Sequence, residues 1–266
     1  MRYEIVEGNF PVLTIYLKYH EKCFAEMSGK HKSYIGSSPV YSEEDDREKK
    51  TTGKLSKKFA TGAELDGTAA TFTGPSWSKV FQRHARNVEH KKDLEAGGEK
   101  NFVLYESLDE DEEHEQEVSF TTCFPGAIMP WYEEGYGKLR VDKGAFLAAW
   151  DMKVGSFTVK NYGVINHSGT QGKFLELSGS GTAFLEVPGI VIKKFLAKGE
   201  AYDVTPGHLL GFTEGISLEM KDSGDLSLRI AETTPFGIRC TAETDDGIIY
   251  MCSGNPPAFW DRQPKK

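Results

Sequence analysis

Most of the chain alternates apolar and polar residues with a period of two, which predicts short β-strands rather than helices. The alternating runs are rich in β-branched and aromatic residues and are bounded by Gly, Pro, Asn or Asp. They include VLTIYLKY at 12–19, KLRVDKGAFLAAW at 138–150, TAFLEV at 182–187 and GIIYMC at 247–252. Strands do not alternate with helix-length patterns, so a parallel α/β sheet is not expected. The predicted fold class is all-β, with antiparallel sheets in a sandwich-like or barrel-like arrangement.

Residues 43–100 break the alternation and are predicted to form a polar insertion. The first part, EEDDREKKTTGKLSKKFATGAELDG, is rich in charged and small residues, which is typical of an exposed or disordered segment. The second part has a helical spacing of apolar residues at Trp77, Val80, Phe81, His84 and Val88. This spacing predicts one amphipathic helix in an otherwise β protein.

Turn-centred segments recur along the chain and predict three copies of one β unit. Three segments have a strand, a turn glycine and a second strand, around Gly29, Gly144 and Gly207, and the last two glycines are 63 residues apart. Strands that follow polar turns, beginning at 117, 182 and 248, recur at a similar spacing. The first interval is longer by about the length of the polar insertion.

The repeat predicts one domain over 1–266 with three pseudo-symmetric copies. Copy one would cover 1–128 with the insertion at 43–100, copy two 129–190 and copy three 191–257. Residues 258–266 would form a tail that packs Phe259 and Trp260.

The SGSG sequence at 178–181 raises the alternative of a phosphate-binding loop. Such a loop requires a following helix whose N–H groups point at the anion. The strand pattern TAFLEV follows instead, so Gly179 and Gly181 are interpreted as the turn of a hairpin. The same turn position holds the acidic run DEDEEHEQE at 109–117 and the sequence ETDDG, which ends at Gly247.

No catalytic, cofactor-binding or metal-binding constellation is predicted, and the protein is expected not to be an enzyme. The acidic run lacks the spacing of a calcium loop, Ser180 lacks a nucleophile-elbow context, and the cysteines lack a CxxC spacing. The histidines show neither HxH nor HExxH spacing, at positions His20, His31, His84, His90, His114, His167 and His208. We expect Cys23, Cys123, Cys240 and Cys252 to be reduced thiols.

A formal net charge of −8 argues against nucleic-acid binding over the whole surface. The insertion nevertheless has basic stretches, and the exposed side of its helix would present Lys79, Arg83, Arg86 and Lys91. These four residues are the candidate partner-binding site, for a protein, an acidic lipid headgroup or RNA. Elsewhere, Lys193 and Lys194 are expected to blunt an exposed sheet edge.

Several strings resemble the family named for altered inheritance of mitochondria, or mitochondrial biogenesis. They are FPGAIMPW, GKLRVDKGAFLAAWDMKV, KFLELSGSGTAFLEVPG, LAKGEAYDVTPGHLLGFTEGISLEM and GIIYMCSGNP, and the resemblance covers 3–38 and 117–257. It implies an all-β, pseudo-threefold fold grouped with the tryptophan RNA-binding attenuator-like proteins, and no established enzymatic activity. Three segments depart from the family's Gly-rich and Leu-rich pattern, at GEKNFVLYE, NHSGTQGKFLE and TTPFGIRCT.

The sequence and the resemblance together predict a non-catalytic structural or assembly factor, as a complex subunit or a homo-oligomer. The alternatives are an RNA-binding module that uses the insertion and a small-ligand or metal-binding β protein. We predict no transmembrane segment, although peripheral membrane contact stays open. The absence of a recognisable presequence favours the cytoplasm, and a processed mitochondrial form is the alternative.

Overall fold

The predicted all-β class is confirmed by a computed structural model. It describes residues 1–26, 34–38, 55–61, 101–111, 114–132, 137–158, 173–205, 207–222, 236–245 and 247–254. These ranges contain 19 strands and one 3₁₀ turn, Lys143–Ala145. The predicted amphipathic helix lies outside the described residues.

The strands divide into one leading strand, β1 (Arg2–Val6), and three sets of six. The first set is β2 Val12–Leu17, β3 Lys22–Glu26, β4 Tyr34–Ser37, β5 Leu55–Thr61, β6 Asn101–Ser107 and β7 Gln116–Thr121. The second set is β8 Gly126–Trp131, β9 Leu139–Asp142, β10 Phe146–Trp150, β11 Lys153–Thr158, β12 Lys173–Ser178 and β13 Thr182–Pro188. The third set is β14 Val191–Leu196, β15 Ala201–Val204, β16 Leu209–Thr213, β17 Ile216–Asp222, β18 Phe236–Ala242 and β19 Gly247–Cys252.

The same antiparallel pairing recurs in each set. The first strand pairs with the sixth, the third with the sixth, the second with the fifth and the fourth with the fifth. Each set therefore forms two three-stranded halves. The residue limits predicted for the copies, and the single domain over 1–266, stay predictions.

Neighbouring sets are joined by pairing of the second strand of one set with the third strand of the next. β3 pairs with β10, and β9 pairs with β16. The result is four sheets: A in the order β1-β2-β7-β4, B in the order β5-β6-β3-β10-β13-β8, C in the order β11-β12-β9-β16-β19-β14, and D in the order β15-β18-β17.

Three apolar clusters lie between successive sheets in the layer order A, B, C, D. The A/B cluster contains Leu13 and Phe120 from sheet A and Phe184 from sheet B. The B/C cluster contains Leu185 and Ile248, and a third cluster lies between C and D. Sheets B and C are consequently covered on both faces, which explains why β10, β16 and β19 are buried at every residue.

The predicted insertion contains one element of the main fold. Residues Leu55–Thr61 form β5, which pairs with β6 along its length, and Leu55 is fully buried. The two lysines at 57 and 58 give this stretch a polar appearance in the sequence, which hid the strand. The long connection that follows in the first set, residues 62–100, lies outside the described residues.

The SGSG turn joins β12 to β13 and packs against the turn between β10 and β11. Gly179 has φ of +133°, a conformation that favours glycine. The Gly181 N–H donates to the Asp151 carbonyl at 3.0 Å, and a Cβ at Gly181 would lie 1.8 Å from the Trp150 carbonyl oxygen. The turn therefore needs glycine for backbone packing, and its amide is already bonded to the protein.

Two of the other proposed turn glycines, Gly144 and Gly207, occupy corresponding connections. Gly144 lies in the 3₁₀ turn between β9 and β10, where its N–H donates to Asp142 Oδ1 at 2.7 Å. Gly207, with φ of +90°, lies in the corresponding connection between β15 and β16. Gly247 begins β19, and Gly29 lies outside the described residues.

We predict that Gly181→Ala lowers the free energy of unfolding by about 2–3 kcal/mol, because the added methyl group collides with a backbone carbonyl that cannot move freely. Gly8→Ala is the matched control, since a Cβ there meets nothing within 4 Å, and its effect should stay within about 0.5 kcal/mol. Urea titrations of both variants measure the difference. Equal stability of the two variants would contradict the close approach.

Candidate functional site

The partner-binding residues predicted from the sequence, Lys79, Arg83, Arg86 and Lys91, lie outside the described residues. Their role stays a prediction. Among the described residues, the candidate features are clusters of polar, charged and exposed apolar side chains.

The acidic run at 109–117 is organised by its own hydrogen bonds at the β6–β7 turn. The buried Asp109 accepts from the Asp111 N–H at 3.2 Å through Oδ1 and from Gln116 Nε2 at 3.1 Å through Oδ2. These contacts fit a hairpin tip. Within the described ranges, no group of three or more His, Cys, Asp or Glu side chains is arranged to hold a metal ion.

Glu186 is a buried carboxylate on β13 that fastens the connection between the first two sets. Its Oε1 accepts from the backbone N–H groups of Cys123 and Phe124, the latter at 3.1 Å. Charge-assisted bonds to two consecutive amides fix the path of the chain between β7 and β8. The arrangement indicates a structural role for this carboxylate.

Three of the cysteines are buried thiols that would be poor nucleophiles. Burial raises the pKa of Cys23, and it raises the pKa of Cys252 to about 11 and that of Cys240 to about 12. A thiol with a raised pKa stays protonated at neutral pH, and only the thiolate is strongly nucleophilic. All four cysteines are unbridged in the structure.

His208 is hydrogen-bonded to the residue that carries one of these thiols, Cys252. Its Nδ1 lies 2.8 Å from the Cys252 carbonyl oxygen, so this nitrogen carries the hydrogen and donates. The Cys252 Sγ lies 3.1 Å from the Gly254 carbonyl oxygen. Both side chains therefore contact backbone carbonyls, which favours a structural role at the end of β19.

A cross-strand ion cluster joins β9 to β12 in sheet C. Glu176 accepts from Lys138 Nζ at 2.9 Å and from Arg140 Nε at 3.1 Å, and Arg140 also donates to the Glu214 carbonyl at 3.2 Å. Burial alone would raise the pKa of Glu176, but the hydrogen bonds from Lys138 and Arg140 outweigh it and hold the pKa below its usual value. The cluster ties the second set to the turn that follows β16.

An exposed apolar surface of the third set lies along β14, and we call it the β14 surface. It comprises Ile190, Ile192, Lys193, Lys194 and Phe195. Ile190 is 66% exposed, Ile192 42% and Phe195 57%. β14 is the last strand of sheet C in the described part of the chain. An edge strand with apolar side chains is a site for pairing with another chain.

The two lysines of the β14 surface lie along aromatic rings. Lys193 Nζ is 4.9 Å from the centre of the Phe195 ring and 5.7 Å from that of Tyr250. Lys194 Nζ is 4.9 Å from the Tyr202 ring and 3.6 Å from Glu200 Oε1. Consecutive strand residues point to opposite faces, so each face of β14 carries one ammonium group.

The sequence predicted part of this surface and missed the rest. Lys193 and Lys194 were expected at a sheet edge, and the structure places them there. The exposed isoleucines and Phe195 were not identified, because GIVIKKFL reads as an ordinary strand. Their exposure follows from the position of β14 at the end of sheet C, which depends on contacts distant in sequence.

The architecture defines a class: an all-β protein with internally repeated strand order and an exposed apolar and basic edge. Residues 3–255 match the family described as mitochondrial biogenesis AIM24, and the chain belongs to that family. The resemblance inferred from the sequence is thereby confirmed. Membership points to an association with mitochondria.

A solved structure shares the fold. It is the crystal structure of a Streptococcus pyogenes protein determined by a structural genomics consortium, with 15% sequence identity and a TM-score of 0.61. The match covers 97% of this chain and 95% of the other. None of the curated proteins compared with the chain matches it. In the described ranges, the chain has no helix with the length and apolar character needed to cross a bilayer.

We predict that Glu176→Gln lowers the free energy of unfolding at pH 7 by about 1 kcal/mol. Since the folded pKa of Glu176 lies below its unfolded value, its stabilisation is complete above about pH 4.3 and is lost as the pH falls through the folded pKa. The variant should therefore lose less stability on acidification than the wild type. Glu7→Gln, at an exposed position, is the control, and urea titrations at several pH values measure the slopes. Identical slopes for Glu176→Gln and wild type would contradict the ion cluster's role.

Proposed function

We propose that the protein is a non-catalytic structural or assembly factor that binds a partner protein along the β14 surface. The observation that carries this proposal is the edge position of β14 combined with three exposed apolar side chains and two lysines. Main-chain pairing at an edge gives affinity, and alternate side chains give specificity.

The state of the candidate nucleophiles supports a non-catalytic role. Burial keeps Cys23, Cys240 and Cys252 protonated, and His208 donates to a backbone carbonyl. Glu176 and Glu186 are each bonded to groups that fix strands or connections. Their contacts are those of structural residues.

The charges of β14 favour an acidic, extended partner segment. Lys193 and Lys194 place positive charge on both faces of the strand, so acidic residues on the partner would be complementary on either face. Antiparallel pairing of β14 with β14 of a second copy would bring four lysines together, and like charges directly opposite are destabilising. A partner with alternating acidic and apolar side chains would place its acidic residues beside Lys193 on one face of the strand and its apolar residues beside Ile192 on the other.

Family membership supports placing this role in mitochondrial biogenesis, in agreement with the mitochondrial alternative drawn from the sequence. The cytoplasmic location stays a prediction. RNA binding through residues 43–100, most of which lie outside the described ranges, stays a prediction as well, and so does small-ligand binding.

A short peptide of alternating Glu and Val residues is the probe for the β14 surface, with a Lys and Val peptide of equal length as the matched control. We expect the acidic peptide to bind, with affinity that falls as salt is raised. Lys193→Glu should weaken binding about tenfold, or 1.4 kcal/mol. Lys198→Glu makes the same charge change in the turn after β14 and should have little effect. Fluorescence anisotropy measures each affinity.

Two outcomes would contradict the proposal. One is equal binding of the acidic and basic peptides, or binding of neither at low salt. The other is binding to phosphatidylglycerol vesicles that depends on Lys193 without binding to the acidic peptide, which would identify an anionic membrane surface as the partner.

A further inference from the structure

Pairing between the second strand of one set and the third strand of the next occurs twice in the described residues, as two joints. In the first joint, Ala148 of β10 pairs with Ala25 of β3, and in the second, Gly211 of β16 pairs with Val141 of β9. The corresponding strands of a third joint are β15, from the third set, and β4, from the first. In the described residues β15 ends sheet D and β4 ends sheet A.

β4 has the local geometry of the two strands that form joints. All three strands contain a register shift, between Tyr34 and Gly36 in β4, between Phe146 and Ala148 in β10, and between Leu209 and Gly211 in β16. A bulge at the same place in each strand makes Gly36 equivalent to Ala148 and Gly211.

The residue skipped by each bulge shows what β4 lacks. Leu147 and Leu210 are both 3% exposed, and each packs in the cluster of the preceding set. Ile35 holds the same position in β4 and is 53% exposed. The difference follows from position, because β4 is the last strand of sheet A in the described residues, whereas β10 and β16 each pair with a strand of the preceding set.

The space beside Gly36 shows the same difference. A Cβ added to Gly211 would meet the Arg140 carbonyl oxygen at 2.8 Å and Val141 Cγ1 at 3.0 Å, both across the joint. Among the described residues, a Cβ added to Gly36 meets nothing within 4 Å. A strand lying across β4 as β9 lies across β16 would occupy that space.

β15 matches β9 in the same way. Val204 precedes Gly211 by seven residues, as Val141 precedes Ala148, and both valines are buried. The next residue towards the N-terminus forms a cross-strand ion pair in each case, Arg140 with Glu176 and Asp203 with Arg239. This equivalence aligns Tyr202 with Leu139.

Tyr202 is exposed where its counterparts are buried. It is 39% exposed, whereas Leu139 and Cys23, at the same position of the other two second strands, are fully buried. The Glu200 carbonyl accepts from the Ala242 N–H at 3.0 Å. By the two-residue alternation of an antiparallel ladder, the N–H groups of Ala201 and Asp203 then point away from β18, towards the edge.

We propose that β4 of one copy of this chain pairs with β15 of a second copy and repeats the internal joint between chains. The register of the second joint puts Gly36 opposite Val204, Ser37 opposite Asp203 and Ser38 opposite Tyr202. Sheet D of one copy and sheet A of the next then form one continuous antiparallel sheet, as in sheets B and C.

The layer order explains why the partner is a second copy. Sheets A and D lie at opposite ends of the order A, B, C, D, each against a different inner sheet. A second copy supplies both strands in the geometry that the chain already uses twice. Because the two surfaces differ, the contact is head-to-tail and generates a ring or a filament. β14 itself does not pair in this contact, although Lys194 Nζ lies 4.9 Å from the ring of Tyr202 at its border.

Cysteine cross-linking of mixed chains tests the joint directly. Ser38→Cys and Tyr202→Cys are made in separate chains, because directly opposed residues of an antiparallel pair lie within disulfide reach. Mild oxidation of the mixture should give a linked dimer on a non-reducing gel, while each variant alone should match oxidised wild type. No dimer above that background would overturn the proposal. An internal cross-link in the double variant, without a mixed dimer, would also overturn it.

Gly36→Arg separates assembly from folding. A Cβ at this position meets no described atom within 4 Å in the single chain, whereas an arginine would collide with β15 of a second copy. In sedimentation velocity we expect the wild type to form species larger than 29.6 kDa as concentration rises, Gly36→Arg to stay monomeric with an unchanged melting temperature, and Gly8→Arg to behave as wild type. A wild type that stays monomeric, or a Gly36→Arg variant that assembles normally, would refute the joint. Acidic-peptide binding measured in the same variants reports on β14 separately.

Discussion

Burial of both faces of sheets B and C is the constraint on which the rest of the structure depends. Each inner sheet is shared, because three strands come from one set and three from the next. Each of its strands must therefore place apolar side chains in one cluster on one face and in a second cluster on the other face. In β13, Phe184 faces the A/B cluster while Ala183 and Leu185 face the B/C cluster. Neither neighbouring set could bury its own apolar face without this shared layer.

The same constraint accounts for the glycines at the sheet ends. Where two layers are packed on a strand, turns at its ends approach other backbones closely. Gly126 has the Val187 carbonyl oxygen 2.0 Å from the position of a Cβ, and Gly181 has that of Trp150 at 1.8 Å. The glycine-rich sequence that suggested a phosphate loop is thus a consequence of layer packing. Its amide is used inside the protein.

The sequence was most informative where one local rule was enough. Period-two alternation predicted β2, whose Leu13, Ile15 and Leu17 are buried while the residues between them are only partly so. Gly144 and Gly207 lie in corresponding connections, and the strands beginning near 117, 182 and 248 are the sixth strands of the three sets. The strand β5 was missed, because two lysines mask its alternation and its buried Leu55 is recognised only through pairing with β6.

The candidate surfaces were harder to predict, because the exposure of an edge residue depends on which strands and sets pack beside it in the folded structure. Ile35, Leu147 and Leu210 look alike in sequence, and only the number of neighbouring sets separates the exposed one from the buried two. Likewise, GIVIKKFL resembles the strands of the core. The predicted site on the helix of the insertion lies outside the described residues and stays a prediction.

The first strands of the three sets, β2, β8 and β14, are protected against edge pairing in different ways. This difference favours β14 as the recognition strand. β2 is covered by the additional strand β1, and β8 contains Pro130, which removes a backbone donor. In the part of the chain that the structure describes, β14 has neither device, and it carries Lys193 and Lys194 instead. Charge on an edge discourages uncontrolled pairing with like strands, but unlike a covering strand or a proline it leaves the backbone donors and acceptors in place. An edge protected only by charge can still pair with a segment of opposite charge, which makes the protection itself selective.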